Sequence, residues 1–438
     1  MPGRNDTFRH ANHTCRRPSL LGFAACFVLG LLCGTFVFVS NSVRADDGEK
    51  PVVRPNFSGW HNWKYNKFSS YDQLRLTLDR EFAKGQKFLV SVNGLRYQED
   101  DNKAWNTWVG EAYYKFKRGP FDVKFGQLVE TLGSGDKVSF VDKLNSRRYY
   151  AGLANDYNRD KKEVPCFKTT YYINKRMSFD VHYLPVFQAS ELPSIYSKWA
   201  SEFQKSLAVS ILKGGTLAQE DETSLEPQYH LAFNSSFKKY ELRYHYFSFK
   251  ERLPIIDQVN EGSFNQMYPL DETWAVDGNI TFSKEFLMRF ELAYTRNKRF
   301  SAFQSARIGR AFASDMYNML LGTDKTYRNN LYLNVQTLIS KVAKLPSKTP
   351  FQLAETEYAA TLQLRKGFKS ERLFIEFNGV NNFTTGEYLL TPNISYQSSD
   401  YFKALAGVHL NGRSTYALGP IGQFNKNSTL FLETQVSF

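Results

Sequence analysis

The chain has 438 residues, room for one large domain or two to three ordinary ones. Its 37 Phe and 26 Tyr bring aromatics to 16%, yet mean hydropathy is −0.46 and net charge +13. Many aromatics on a polar average leave two classes open, a soluble all-β protein and a barrel with a lipid face and a wet lumen; four cysteines, three of them within the first 33 residues, exclude a cysteine-stapled scaffold.

Arg4, Arg9, Arg16 and Arg17 form a basic start, and Pro18 to Val43 carries no charge. Val43 and Ala45 then place small residues three and one before Asp46. This is the pattern of a cleaved signal peptide over 1–45, followed by a short periplasmic leader over 46–56. The apolar run is also long enough for an uncleaved anchor. A lipoprotein site at Cys26 fits less well, because the run stays apolar beyond it. Cleavage removes five Arg and one Asp and leaves a charge of +9. No later stretch is long and apolar enough for a membrane helix, and a closed barrel is the other structure that satisfies every backbone group in lipid.

From residue 57 onward, segments of about ten residues alternate with period two. Leu74, Leu76 and Leu78 oppose Arg75, Thr77 and Asp79; Tyr240, Leu242, Tyr244 and Tyr246 oppose Glu241, Arg243 and His245. Phe286, Met288, Phe290, Leu292 and Tyr294 oppose Arg289 and Glu291; Leu373, Ile375 and Phe377 oppose Arg372, Glu376 and Asn378. Charges in mid-strand are costly against lipid and natural in a water-filled lumen. The pattern predicts strands near 57–65, 71–82, 87–97, 105–116, 121–128, 166–174, 177–186, 227–235, 240–250, 273–282, 285–297, 316–325, 331–340, 355–366, 372–381, 387–398, 401–411 and 429–438. That is eighteen, or sixteen if the first or the 316–325 segment is misread. Tight turns at 117–120, 174–176, 236–240, 283–284 and 367–370 alternate with long stretches near 129–165, 187–226, 251–271 and 299–315. Short turns on one rim and long loops on the other are the periplasmic and extracellular asymmetry of an outer-membrane barrel. Residues 197–213 have mixed helical character. The closing segment puts Leu430, Leu432, Thr434, Val436 and Phe438 on one face.

The stretch from Phe121 to Ser194 and the closing YALGPIGQFNKNSTLFLETQVSF resemble a family of proteobacterial outer-membrane barrels of unknown function, related in type to the alginate-export porins. The matching positions are Gly126, Gln127, Gly133, Asp136, Asp142, Leu144, Asn145 and Arg148, then YLPVF (183–187) and Leu192-Pro193. Leu132 stands where that family usually has Trp, and Ser146 where it has Pro. The resemblance covers about a third of the chain and implies a barrel; it implies no established substrate.

The 129–165 stretch, with Asp136, Asp142, Asn145, Arg147 and Arg148, is expected to fold inward as a constriction, against the alternative of a solvated outer loop. Parity places basic residues Arg75, Lys124, Lys168, Arg243, Arg289, Arg365, Arg372 and Lys403 toward a lumen, with His182, His230, His245 and His409. Asp79, Glu111, Asp180, Glu241, Glu291, Glu376 and Glu433 share that face, so many pairs read as a salt-bridge lattice. The excess of base would concentrate anions in a low-dielectric bore, and a basic rim binding lipopolysaccharide phosphate would give the same charge. Asp180 with His182 and Glu241 with His245 share strand faces, but no serine motif accompanies them, so no enzyme is expected. No His/Cys cluster has metal-ligand spacing and no cofactor is implied.

The expectation is therefore an all-β, transmembrane antiparallel β-barrel in a bacterial outer membrane, a porin for small hydrophilic solutes with a lean toward anions. The rivals are an export channel for an acidic polysaccharide and a plugged structural or adhesive barrel. Lipid and lipopolysaccharide are the expected partners and nucleic acid is not; a homo-oligomer is left open.

Overall fold

The alternating segments pair as antiparallel neighbours in chain order. A computed structural model describes residues 52–64, 67–99, 102–136, 138–149, 161–194, 200–304, 307–346, 354–368, 370–412 and 428–437; the signal peptide expected over 1–45 lies outside them. Counting only the strands of the main sheet, these are β1 (Val52–Lys64), β2 (Lys67–Ala83), β3 (Gln86–Glu99), β4 (Asn102–Arg118), β5 (Phe121–Leu128), β6 (Val164–Tyr172), β7 (Met177–Leu184), β8 (Gln228–Ser236), β9 (Tyr240–Lys250), β10 (Leu270–Ser283), β11 (Phe286–Phe300), β12 (Phe312–Tyr327), β13 (Leu331–Val342), β14 (Thr356–Phe368), β15 (Leu373–Asn382), β16 (Glu387–Gln397), β17 (Phe402–Asn411) and β18 (Thr429–Ser437). They form one 18-stranded sheet. β18 pairs back onto β1, with Phe57 opposite Val436, so the sheet closes and has no free edge. β1 starts at Val52, inside the stretch expected as a leader, because Val52 already finds a partner in Asp79 of the long β2.

The turns at 84–85, 119–120, 173–176, 237–239, 284–285, 328–330, 370–372 and 398–401 all lie on one rim. The described parts of the longer connections, 129–136, 138–149, 161–163, 185–194, 200–227, 251–269, 301–304, 307–311, 343–346, 354–355, 412 and 428, lie on the opposite rim. The expected helical stretch is α1 (Glu202–Leu212), started by a capping box in which Ser201 Oγ accepts from Gln204 N–H and Gln204 returns the bond. Residues 216–219, 255–260 and 263–267 form a small separate sheet in the same crown.

Register settles the two faces. Leu74, Leu76 and Leu78, Leu292, Leu321, Val335, Ile375, Ile394 and Leu432 are exposed on the outside. Aromatic pairs bracket this band. Phe121–Tyr171 (5.0 Å), Phe282–Phe286 (5.4 Å) and Phe237–Tyr240 (5.6 Å) lie near the short turns. Tyr183–Tyr229 (5.4 Å), Tyr246–Trp274 (5.4 Å) and Tyr294–Tyr317 (5.1 Å) lie further up the wall. Trp274 and Phe282 are eight residues apart on β10, which is ~26 Å along the strand and ~20 Å in height at a tilt of about 40°. That is close to the apolar band of a membrane barrel.

The inner face is not uniformly polar. Leu128, Cys166, Leu184, Phe247, Phe249, Ala275 and Ala293, from β5 through β11, form a buried cluster with Val141, Leu144 and Val164. Phe247 and Phe249 continue the inward face of Arg243 and His245 on β9, so apolar side chains project into the barrel where the alternation suggested only charge.

Candidate functional site: the interior loop and its polar bed

The connection after β5 turns into the barrel because its own residues pack against that apolar patch. Val141 and Leu144 are fully buried in it, and Leu132 and Phe140 pack on its edge. Burying Val141 and Leu144 alone contributes about 3 kcal/mol or more. The base of the loop is stitched by Asn145. Its Oδ1 accepts Glu130 N–H at 2.9 Å, and its Nδ2 donates to Leu128 O (3.0 Å) and Lys162 O (2.8 Å). Asp142 accepts Leu132 N–H at 3.2 Å and lies 2.8 Å from the Lys161 ammonium and 3.3 Å from Arg147. Glu130 bridges Lys124 of β5 (3.1 Å) and Lys168 of β6 (3.0 Å). Burial pushes its carboxyl up, but the two ammonium groups outweigh that and hold it below its ordinary value.

The loop tip is held by one carboxylate. Glu291 of β11 is fully buried, and it accepts N–H bonds from Ser134 (2.8 Å), Gly135 (2.6 Å) and Phe140 (2.7 Å) and the Ser139 hydroxyl (2.8 Å). Ser134 Oγ donates to Phe290 O at 2.8 Å, and Arg289 Nη1 donates to Ser134 O at 3.0 Å. Backbone donors converging on a carboxylate are the charge-assisted class of hydrogen bond. The close approach requires glycine at 133: its φ is +84°, and a Cβ there would stand 2.4 Å from Ser139 Oγ and 2.5 Å from Glu291 Oε1. The loop leaves β5 and ties down on β11, six strands further round the ring, so it lies across part of the interior.

Residues read from parity fall into three groups. Arg75 pairs with Glu111 (3.1 Å), Arg243 with Asp277 (Nε at 3.1 Å) and Arg289 with Asp324, all on the inner face. Arg365 also faces inward, opposite Glu376 in register, but it is exposed and stacks 4.0 Å over the Phe374 ring. Arg372 lies in the short turn before β15 and Lys403 near the start of β17, both exposed at the short-turn rim. In the loop, Asp142 and Asn145 are turned into its base. Arg147 lies beside Asp142, and Arg148 sits between Glu163 (2.8 Å) and the Trp108 ring (4.6 Å). Asp136, at the tip, accepts Val138 N–H through its backbone carbonyl. Among the described residues no group of three or more His, Cys, Asp or Glu is placed to hold a metal ion.

Lys143 was not singled out by parity because it lies in the loop. It lines a cavity of about 190 Å³ beside Glu251, Arg252, Asp271 and Lys298, and donates to Thr273 Oγ1 at 2.9 Å. Burial pushes its ammonium down to about 8, with Lys298 adding to the shift and Glu251 and Asp271 opposing it. The folded value lies below the unfolded one, so unfolding takes up a proton between about 8 and 10.5, and stability rises with pH across that window. In the same folded state the interior loses one positive charge as pH rises through about 8. Any anion preference measured by reversal potential should therefore weaken between pH 7 and 9. Lys143→Met should remove that step; an unchanged step would show that another group carries it.

Two features were not read from the sequence. Glu291 looked like one inward acid among several, and only the register with the loop shows that it is the loop's anchor. His182 of β7 and His245 of β9 were matched to an acid on their own strand and His230 of β8 to none, whereas the three bond to one another across strands. The GSG run at 133–135 was the available signal for the first, since glycines beside serines mark a backbone that can approach a buried acceptor closely.

Comparison with known proteins adds a fold. No family model matches the chain, and no curated protein does. Among solved structures, OccK5 (OpdH) of Pseudomonas aeruginosa and two Acinetobacter baumannii proteins match with TM-scores of 0.51 to 0.52. OccK5 itself gives 0.52 at 12% identity over 89% of this chain and 97% of that one. OccAB3 of Acinetobacter baumannii gives 0.51 at 11% identity over 88% and 98%, and OccAB2 gives 0.51 at 12% over 89% and 98%. These three carry the barrel part of the resemblance and not the relation to alginate-export porins. The chain folds as a transmembrane antiparallel β-barrel similar to these three structures.

Proposed function

We propose that the protein is an outer-membrane channel for passive diffusion of small hydrophilic solutes, with a lean toward anions and no chemistry of its own. The observation that carries this reading is the loop held across the interior of a closed barrel whose outside is apolar. A tethered inward loop narrows a bore without filling it by a separate domain. The fold shared with Pseudomonas and Acinetobacter outer-membrane proteins supports the location. The lean toward anions rests on the net charge and on inward bases such as Arg365 that stack on a ring rather than on a carboxylate. A continuous basic track, which polysaccharide export would ask for, fits less well with Lys124, Lys168, Arg243 and Arg289 each lying on an acid.

Reconstitution into planar bilayers tests the reading. The expected result is discrete open-channel conductance whose reversal potential, under a salt gradient, favours the anion at pH 7. A correctly folded protein that inserts and passes no current would overturn it in favour of a plugged barrel.

A further inference from the structure

Three imidazoles and a carboxylate form one hydrogen-bonded chain across the inner face of four consecutive strands. His182 Nδ1 of β7 lies 3.0 Å from His230 Nδ1 of β8; His230 Nε2 lies 2.9 Å from His245 Nδ1 of β9; His245 Nε2 lies 2.6 Å from Asp277 Oδ1 of β10. All four side chains are buried. The His230 ring stacks on Phe247 at 4.4 Å, which fixes its plane and keeps the chain in line.

Proton counting orders this chain. Asp277 accepts Arg243 through Oδ2 and is ionised, so it accepts from His245 Nε2–H as well. A neutral His245 then has a bare Nδ1, which His230 Nε2–H must fill. His230 Nδ1 is then bare, and His182 Nδ1–H fills it. Three neutral imidazoles supply one N–H for each of the three bonds, and His182 Nε2 is left bare, buried and without a partner among the described residues. One added proton gives a second complete arrangement. It binds His182 Nε2; the Nδ1 proton of His182 moves to His230 Nδ1; the Nε2 proton of His230 moves to His245 Nδ1. His245 keeps its Nε2 proton and becomes an imidazolium against the Asp277 carboxylate. Every bond survives; the two between imidazoles reverse direction, and His245 still donates to Asp277. One proton has entered, two have hopped, and the positive charge rests beside the carboxylate best placed to receive it.

We propose that the His182–His230–His245–Asp277 chain is a one-proton sensor in the wall of the channel, and that it regulates the constriction by placing a positive charge on β9, two strands from the loop's anchor and against the Asp277 that faces it. Asp277 and Glu291 are direct register partners on β10 and β11. The charges facing the chain are Lys124 of β5, Lys168 of β6, Asp180 of β7, Glu241 and Arg243 of β9, Glu291 of β11 and Glu130 of the loop. Lys124, Lys168 and Glu130 hold one another, and Arg243 is held by Asp277. In the neutral state Asp277, held by Arg243, faces Glu291 as a like charge in register; the added proton at His245 offsets the Asp277 side of that repulsion. Acid therefore tightens the loop's hold and raises the positive field in the bore together.

The sensing chain itself is independent of transport, but its effect on permeation rests on the channel reading, so two readouts are needed. The first is ¹⁵N NMR of histidine-labelled protein in detergent micelles between pH 7.5 and 4.5. Near neutrality the expected tautomers are Nδ1–H at His182 and Nε2–H at His230 and His245, and acidification should yield a single imidazolium shared by the three. His230→Phe, which keeps the stack on Phe247, should uncouple His182 from His245. Three rings that titrate independently, or none that titrates, would overturn the sensor whether or not the protein conducts. The second readout is reversal potential over the same range. A rise of about twofold in anion preference is expected on acidification, absent in His245→Gln, whose amide can still donate to Asp277. A step that persists in His245→Gln would assign it to other groups and sink the regulatory half of the proposal.

Discussion

Glu291→Ala should release the tip of the interior loop and enlarge the single-channel conductance. Four donors, the N–H groups of Ser134, Gly135 and Phe140 and the hydroxyl of Ser139, lose one shared acceptor. Hydrogen bonds to charged groups contribute roughly 1.5–3 kcal/mol each, and the carboxylate's desolvation offsets part of their sum, so a net loss of about 3 kcal/mol in tip docking is expected. That shifts the docked-to-undocked ratio by more than about a hundredfold. The barrel should remain folded, because Leu132, Phe140, Val141 and Leu144 still pack on the wall and Asn145 still stitches the base. Three measurements check it. Conductance and current noise should rise, cleavage between 133 and 140 by added protease should accelerate, and formate at millimolar concentration should restore part of the wild-type behaviour by occupying the emptied acceptor position. Ser139→Ala removes one donor and should give a smaller effect in the same direction. A variant with wild-type conductance and protease resistance would show that the apolar contacts alone fix the loop.

The second large effect is expected at Arg365. This guanidinium faces the interior from β14, stacked on Phe374, whereas Arg289 and Arg148 are tied into the loop and its bed. Glutamate at 289 would meet Asp324 and Glu291, and at 148 would meet Glu163, so those substitutions would test folding before selectivity. Arg365→Gln removes one charge from the bore without breaking an ion pair and without setting a second carboxylate opposite Glu376. At about 7 Å through water that charge is worth roughly 0.6 kcal/mol to an anion and the opposite to a cation, about 1.2 kcal/mol in their difference, or about a sevenfold change in the anion-to-cation permeability ratio at low salt. Raising the ionic strength toward 1 M, where screening acts over about 3 Å, should shrink it to under about twofold. A ratio that does not move at low salt would mean that Arg365 does not face the conducting path.

Much of the architecture was legible because a strand between lipid and water writes its two environments into alternate residues. Leu74, Leu76 and Leu78 against Arg75 and Asp79, or Leu430 and Leu432 against Glu433, needed no tertiary knowledge to sort. The eighteen segments read from that pattern are the eighteen strands of the sheet. The short turns were legible for a related reason, since each lies between two alternating runs. What the pattern could not reveal was pairing at a distance. Asp277 lies on β10 and serves His245 on β9 and Arg243 beside it, and Glu291 serves a loop more than 150 positions earlier. Periodicity reports which face a residue occupies and says nothing about what crosses the interior to meet it. Phe247 and Phe249 illustrate the same limit. They break the polar run of the inner face because a loop, not water, covers them.

The seam between β1 and β18 has a consequence for how the molecule is assembled. Phe57 meets Val436 across 379 positions of chain, among the longest loop closures a chain of this length can make. Until that seam zips, two ribbons of unsatisfied amide groups stand open, each competent to template onto a stranger. Shutting the ring last makes maturation slow and hands the nascent polypeptide to whatever escort can shield those ribbons until the bilayer receives them.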